Sequence, residues 1–143
     1  MLKLTLGVVL LVSQLSGPAG TLPQIIHPDF KTTVAAKAGK KGEVTMSFNL
    51  LKGYVINRTP PMTLKLTAVP GIALAKMEFT TPSTDPKSKD EYYVDMPTIK
   101  VPVTAAKAGK YEIPAKLTYF FCSKADGFCS RQILDVKIPV AAE

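Results

Sequence analysis

Between residues 43 and 50 apolar and polar side chains alternate without interruption. Val44, Met46, Phe48 and Leu50 fall on one parity, and Glu43, Thr45, Ser47 and Asn49 on the other. A period of two sends successive side chains to opposite faces of an extended chain, so this stretch is expected to be an antiparallel strand with one solvated face. The same pattern recurs at 62–69 (Leu64 and Leu66 inward), 98–103 (Ile99, Val101, Val103), 111–121 (Ile113, Ala115, Leu117, Tyr119, Phe121) and 133–140 (Leu134, Val136, Ile138, Val140). Shorter or less regular strands are expected at 30–34, 54–57, 73–80 and 91–94. Pro114 lies on the outward parity of its strand and predicts an edge or a bulge there, because proline has no N–H to give to a ladder.

Turn chemistry separates these runs. Lys52-Gly53, Pro60-Pro61 and Pro70-Gly71 are breaks, and residues 81–90 are polar and twice interrupted by proline, hence an exposed loop. The sequence Ala-Ala-Lys-Ala-Gly-Lys occurs at 35–40 and again at 105–110, each time ahead of a strand. Two copies are too few for a solenoid and read as one turn solution used twice. No stretch beyond the first twenty residues has a helical period. About eight short strands with turns between them predict an all-β chain, an immunoglobulin-like antiparallel β-sandwich.

The amino terminus is a different kind of segment. Met1-Leu2-Lys3 is a short basic start, residues 4–12 are apolar, and Ser16-Gly17-Pro18-Ala19-Gly20 supplies small residues for a signal peptidase. The apolar run is too short to span a bilayer core of about 30 Å. Residues 1–20 are therefore expected to be a signal peptide cut after Ala19 or Gly20, and 21–143 a single exported, soluble domain, periplasmic or otherwise outside the cytoplasm. In such a compartment two thiols can stay paired.

Composition removes several functions. The formal net charge is +7, but the basic residues are nearly all lysines scattered through loops, with only Arg58 and Arg131 as arginines. A nucleic-acid surface needs clustered cations, so none is expected. His27 is the only histidine and stands beside Pro28, away from ligand-type spacing, which gives no metal site and no Cys–His nucleophile pair. A phosphate-cradling glycine loop and a nucleophile-elbow serine are also missing, and no cofactor is implied. Asn57-Arg58-Thr59 matches a glycosylation sequon, a weak three-residue match.

What remains is the cysteine pair. Cys122 and Cys129 flank Ser123-Lys124-Ala125-Asp126-Gly127-Phe128, in which Ala125-Asp126-Gly127 is turn material. Two strands joined by such a loop can bring the sulfurs together across the neck of a hairpin. Cys122 has the outward parity of its strand, which predicts a place near the surface. Lys124 and Arg131 nearby would favour a thiolate, the species that exchanges disulfides. A structural staple and a working redox pair both fit these residues.

The chain resembles the periplasmic amino-terminal domain of the thiol:disulfide interchange protein DsbD over about residues 30–140. The resemblance is carried by Lys52-Gly53-Tyr54-Val55-Ile56-Asn57, by Thr98-Ile99-Lys100-Val101-Pro102-Val103, and by Leu117-Thr118-Tyr119 with the hairpin from Cys122 to Cys129, whose Ala125-Asp126-Gly127-Phe128-Cys129 is the most specific part. It implies a monomeric immunoglobulin-like sandwich that relays electrons from a membrane donor, here a separate protein, to periplasmic thioredoxin-like proteins. Cys129 would be the attacking thiol and Cys122 the resolving one. Residues 81–93 would form a cap over the pair, with Asp90 and Glu91 as its acidic residues and Tyr92 or Tyr93 as the lid aromatic. Two departures stand out: six residues separate the cysteines where the family usually has five, and Ser130-Arg131 replaces the usual Tyr-Pro. The contrasting expectation is a non-enzymatic accessory or binding module with a structural disulfide.

Overall fold

The computed structural model describes residues 22–34, 37–84, 87 and 89–143. The segment assigned to export, 1–20, lies outside the described residues. Nine strands follow one another: β1 (Ile26–Val34), β2 (Lys41–Leu50), β3 (Tyr54–Ile56), β4 (Thr63–Leu66), β5 (Ile72–Leu74), β6 (Glu78–Thr80), β7 (Ile99–Ala105), β8 (Gly109–Ser123) and β9 (Cys129–Ala142). They build two antiparallel sheets, one in the order β1-β2-β7-β5 and one in which β8 is central. Among the described residues there is no helix. The all-β sandwich expected from the alternation is the fold.

The alternating strands bury the parity they were expected to bury. Val44, Met46 and Phe48 of β2 share one apolar core with Ile113, Leu117 and Phe121 of β8. β8 and β9 form the longest ladder, fourteen consecutive pairs from Gly109↔Ala142 to Cys122↔Cys129 without a register shift. Pro114 therefore makes no bulge against β9, where it pairs with Lys137. Its missing N–H faces the other edge of β8, where β4 ends at the Leu66↔Ala115 pair and Thr67 N–H donates to Pro114 O (2.8 Å).

On that same edge of β8, β3 and β4 lie end to end. Tyr54, Val55 and Ile56 pair with Ser123, Cys122 and Phe121, and Thr63–Leu66 with Thr118–Ala115. Pro60 and Pro61 fall in the gap between them, where they withhold no ladder donor.

Three expectations change. Residues 73–80 are two strands instead of one: β5 pairs with β7 in the first sheet and β6 with β4 in the second, so the chain crosses the sandwich at Ala75–Met77. Residues 91–94 form no strand and make one isolated bridge, Tyr92 to Asn57. β1 begins at Ile26, earlier than expected, because Ile26 pairs with Leu50 and is fully buried with Ile25. Pro28 is tolerated there since β1 is an edge strand.

The amino-terminal segment is fastened by a polar cluster across the sandwich. Ile26 N–H donates to the Tyr119 hydroxyl (3.3 Å), and Tyr119 O–H donates to Gln132 Oε1. Ile25 N–H reaches the same Gln132 oxygen (3.2 Å), while Gln132 Nε2 donates to Pro23 O (3.2 Å). Burial pushes the Tyr119 phenol above its ordinary value near 10, and the N–H groups of Ile26 and Ile25 pull it back only in part.

As pH rises, the unfolded chain then loses this proton first and the native state keeps it. Stability from this group is complete below pH 9 and falls as pH passes about 10. Melting curves of wild type and Tyr119→Phe between pH 8 and 11 should show that extra alkaline slope in wild type only. The variant itself should lose about 1–3 kcal/mol at neutral pH, since it strands the buried Ile26 N–H.

Candidate functional site

Both cysteines sit at the free end of the β8–β9 ladder, as its last pair. Cys122 and Cys129 are directly opposed, with Cα atoms 4.0 Å apart, and are joined by a disulfide. Directly opposed residues of a non-hydrogen-bonded antiparallel pair stand about 4.5 Å apart, so the ladder itself brings the two cysteines within reach of each other.

The turn that returns the chain is built from its own polar groups. Gly127 takes φ +67°, Gly127 N–H donates to Ser123 O (3.0 Å), and Ser123 N–H donates to Phe128 O (2.8 Å). Ser123 Oγ donates to Asp126 Oδ2 and accepts from Asp126 N–H, both at 3.2 Å. Ser123 and Asp126 thus fasten the turn together. Lys124 N–H donates to Gly53 O (2.9 Å), which ties the turn to the approach to β3.

The two sulfurs live in different surroundings. Cys129 is exposed at the start of β9, whereas Cys122 is only 6% exposed. Cys122 was expected near the surface from its parity. The parity is right, and it does point away from the core; what the strand pattern omits is the cover on that outer face. Val55 of β3 stands directly opposite Cys122, and the side-chain amide of Asn57, one diagonal step along, brings Oδ1 to 3.4 Å from Cys122 Sγ. Arg131 pairs with Phe120 and shares the outer face two residues from Cys129.

Beneath the pair lies an aromatic floor. Phe121 is fully buried and meets Tyr54 edge-on (centroids 5.8 Å apart), Phe128 edge-on (6.1 Å) and Tyr119 at a tilt (6.3 Å). Phe128 is 37% exposed, so an aromatic edge reaches solvent beside Cys129.

Of the segment assigned to the cap, residues 91–93 run along the free edge of β3, while residues 85, 86 and 88 lie outside the described residues. Arg58 N–H donates to Glu91 O (2.8 Å) and Tyr93 N–H to Ile56 O (3.0 Å), and these bonds flank the Asn57–Tyr92 bridge. Bridge partners share a face, so Tyr92 stands with Asn57 on the side that carries the disulfide. Tyr93 turns the opposite way. It is 9% exposed in the core, and its hydroxyl meets Thr81 Oγ1 (2.8 Å) and Pro82 O. Of the two tyrosines only Tyr92 is on the face of the pair. Asp90 and Glu91 are exposed just before it.

A family model described as thiol:disulfide interchange protein DsbD, N-terminal, matches residues 23–138. The chain belongs to this family. A comparison with curated proteins gave no match. The family's chemistry is thiol–disulfide exchange, and the paired cysteines of this DsbD amino-terminal domain supply the one disulfide among the described residues. His27 is exposed on β1 opposite Asn49, and among the described residues no three His, Cys, Asp or Glu side chains gather as a metal site requires.

Asn57 is absent from the expected site residues, standing in the sequence only as a strand end, a sequon and the last residue of a family stretch. Its closeness to Cys122 depends on the register of β3 against β8, and no local pattern encodes that.

Proposed function

We propose that this protein is an exported thiol–disulfide exchange domain whose Cys122–Cys129 pair carries two electrons between a membrane-bound donor and thioredoxin-like proteins. The observation that carries this reading is the asymmetry of the disulfide at the hairpin tip: Cys129 is open to attack and Cys122 is covered. Thiol exchange requires a thiolate to approach along a sulfur it can reach, so access selects the site of reaction.

A donor thiolate attacks Cys129 Sγ, the S–S bond breaks, and Cys122 Sγ departs with the bonding pair and takes up a proton. The donor's second thiolate then attacks the donor sulfur in the mixed disulfide and releases Cys129. The donor dithiol is oxidised to a disulfide and the pair is reduced. Passing electrons on reverses the order: Cys129 attacks the acceptor's disulfide, and Cys122 resolves the adduct. Tyr92, with Glu91 and Asp90 before it, forms the cap on the outer face, and a partner displaces it to reach the sulfurs. Export through residues 1–20 puts the domain where such partners work.

The test is the reduction potential of the pair in a glutathione series, with the fold followed by circular dichroism. The expected value lies within about −120 to −270 mV, the range of working oxidoreductases, with the fold intact. A value below about −300 mV would mark a structural link and overturn the proposal in favour of an accessory binding module.

A further inference from the structure

The amide of Asn57 makes a contact that has no purpose in the oxidised protein. Its Oδ1 lies 3.4 Å from Cys122 Sγ, yet a disulfide sulfur carries no proton and an amide oxygen has none to give. The two atoms merely touch. Reduction changes this, because Cys122 becomes a thiol and therefore a donor. At 6% exposure it finds little water to donate to, and a buried donor without an acceptor is costly.

The acceptor is held in place beforehand. Asn57 N–H donates to Phe120 O (2.9 Å) on one side, and the bridge to Tyr92 fixes the same residue on the other.

We infer that Asn57 is a positioning residue for the thiol pair, its amide oxygen receiving the Cys122 S–H that reduction creates. The inference rests on the exchange reading above. The hydrogen bond exists only in the reduced state, so it draws the equilibrium toward the dithiol. It also acts on one sulfur of the two: it holds the proton on Cys122 and leaves Cys129 as the sulfur that meets a partner. In the balanced step, Cys122 Sγ leaves with the electron pair as the S–S bond breaks, is protonated from water, and then donates that proton's hydrogen bond to Asn57 Oδ1.

The experiment compares the reduction potentials of wild type, Asn57→Ala and Asn57→Asp at pH 7 in the same glutathione buffers. Both substitutions keep the main-chain bonds of residue 57, and circular dichroism checks the fold. Loss of one neutral hydrogen bond from the reduced state should make Asn57→Ala harder to reduce by about fivefold in the equilibrium constant, about 20 mV more negative. Asn57→Asp keeps an acceptor oxygen at the same reach and should match wild type or lie above it. A merely structural residue would move both variants alike. The inference is overturned if Asn57→Ala leaves the potential where it was, or if Asn57→Asp falls with it. Should alanine unfold the domain, the aspartate variant alone decides: a potential at or above that of wild type supports the acceptor role, and a drop of the alanine size refutes it. A wild-type pair outside the working range defeats the exchange reading itself. A wild-type pair inside it with an unmoved alanine variant defeats this inference alone.

Discussion

The Cys122→Ser variant should accumulate a mixed disulfide through Cys129 when it meets a thioredoxin-like protein that lacks its resolving cysteine and whose remaining cysteine carries thionitrobenzoate as a mixed disulfide, the thionitrobenzoate thiolate being the group expelled. Cys129 is exposed, so its thiolate can attack the partner's disulfide, and with no thiol at position 122 nothing expels the partner afterwards. The adduct should run as a single heavier band on a non-reducing gel and vanish on adding dithiothreitol. The Cys129→Ser variant is the necessary contrast. Its remaining sulfur is buried beneath Val55 and Asn57, and reaching it requires a local opening. An opening that costs even about 1.4 kcal/mol slows the reaction about tenfold. Equal trapping by the two variants, or none by either, would refute the assignment of Cys129 as the attacking thiol.

The largest effect on stability is expected at Phe121. It is fully buried, is flanked by Tyr54, Tyr119 and Phe128, and sits one residue from Cys122. Truncation to alanine removes a ring from a packed core and leaves a cavity that the β8 backbone cannot close, since β8 is held on both edges at that point. Losses of about 3–5 kcal/mol accompany such changes, a large part of what holds a small domain together. Urea unfolding should show the midpoint falling steeply for Phe121→Ala. The Phe128→Ala variant removes a ring that is 37% exposed and should cost about 1 kcal/mol or less, so a comparable loss in both would contradict the division of the aromatic cluster into floor and rim.

Much of this architecture was legible in the alternation. Where a strand has one wet face, as in β2, parity alone names the buried residues, because a one-residue slip would turn Val44, Met46 and Phe48 outward. Parity says nothing about which sheet a short segment joins. Residues 73–80 read as one strand because nothing local marks the crossing at Ala75–Met77; the partners of β5 and β6 belong to different sheets. Residues 91–94 have extended-chain residues and yet only one bridge, since their pairing ends where β3 ends.

The site divided along the same line. A cysteine pair around a Ser-Lys-Ala-Asp-Gly-Phe turn is visible as a hairpin in any reading of the chain. The covering of Cys122 is not, because Val55 and Asn57 stand more than sixty positions away and arrive through register. The repeated Ala-Ala-Lys-Ala-Gly-Lys was visible as text, whereas the contact between its copies, Gly39 N–H to Ala105 O at 2.7 Å, emerges only from the pairing of β2 with β7.

The disulfide is the last rung of a fourteen-pair ladder whose register is already determined by the thirteen rungs behind it. Making or breaking the S–S bond therefore asks no strand to slide, and no displacement is expected at the pole where Gly109 meets Ala142. Seen from that far pole, the oxidised and reduced molecules are expected to be indistinguishable. The state of the sulfurs is private to the tip, and another protein learns it only by touching that tip, in the way a coin's face is known only to the hand that turns it over.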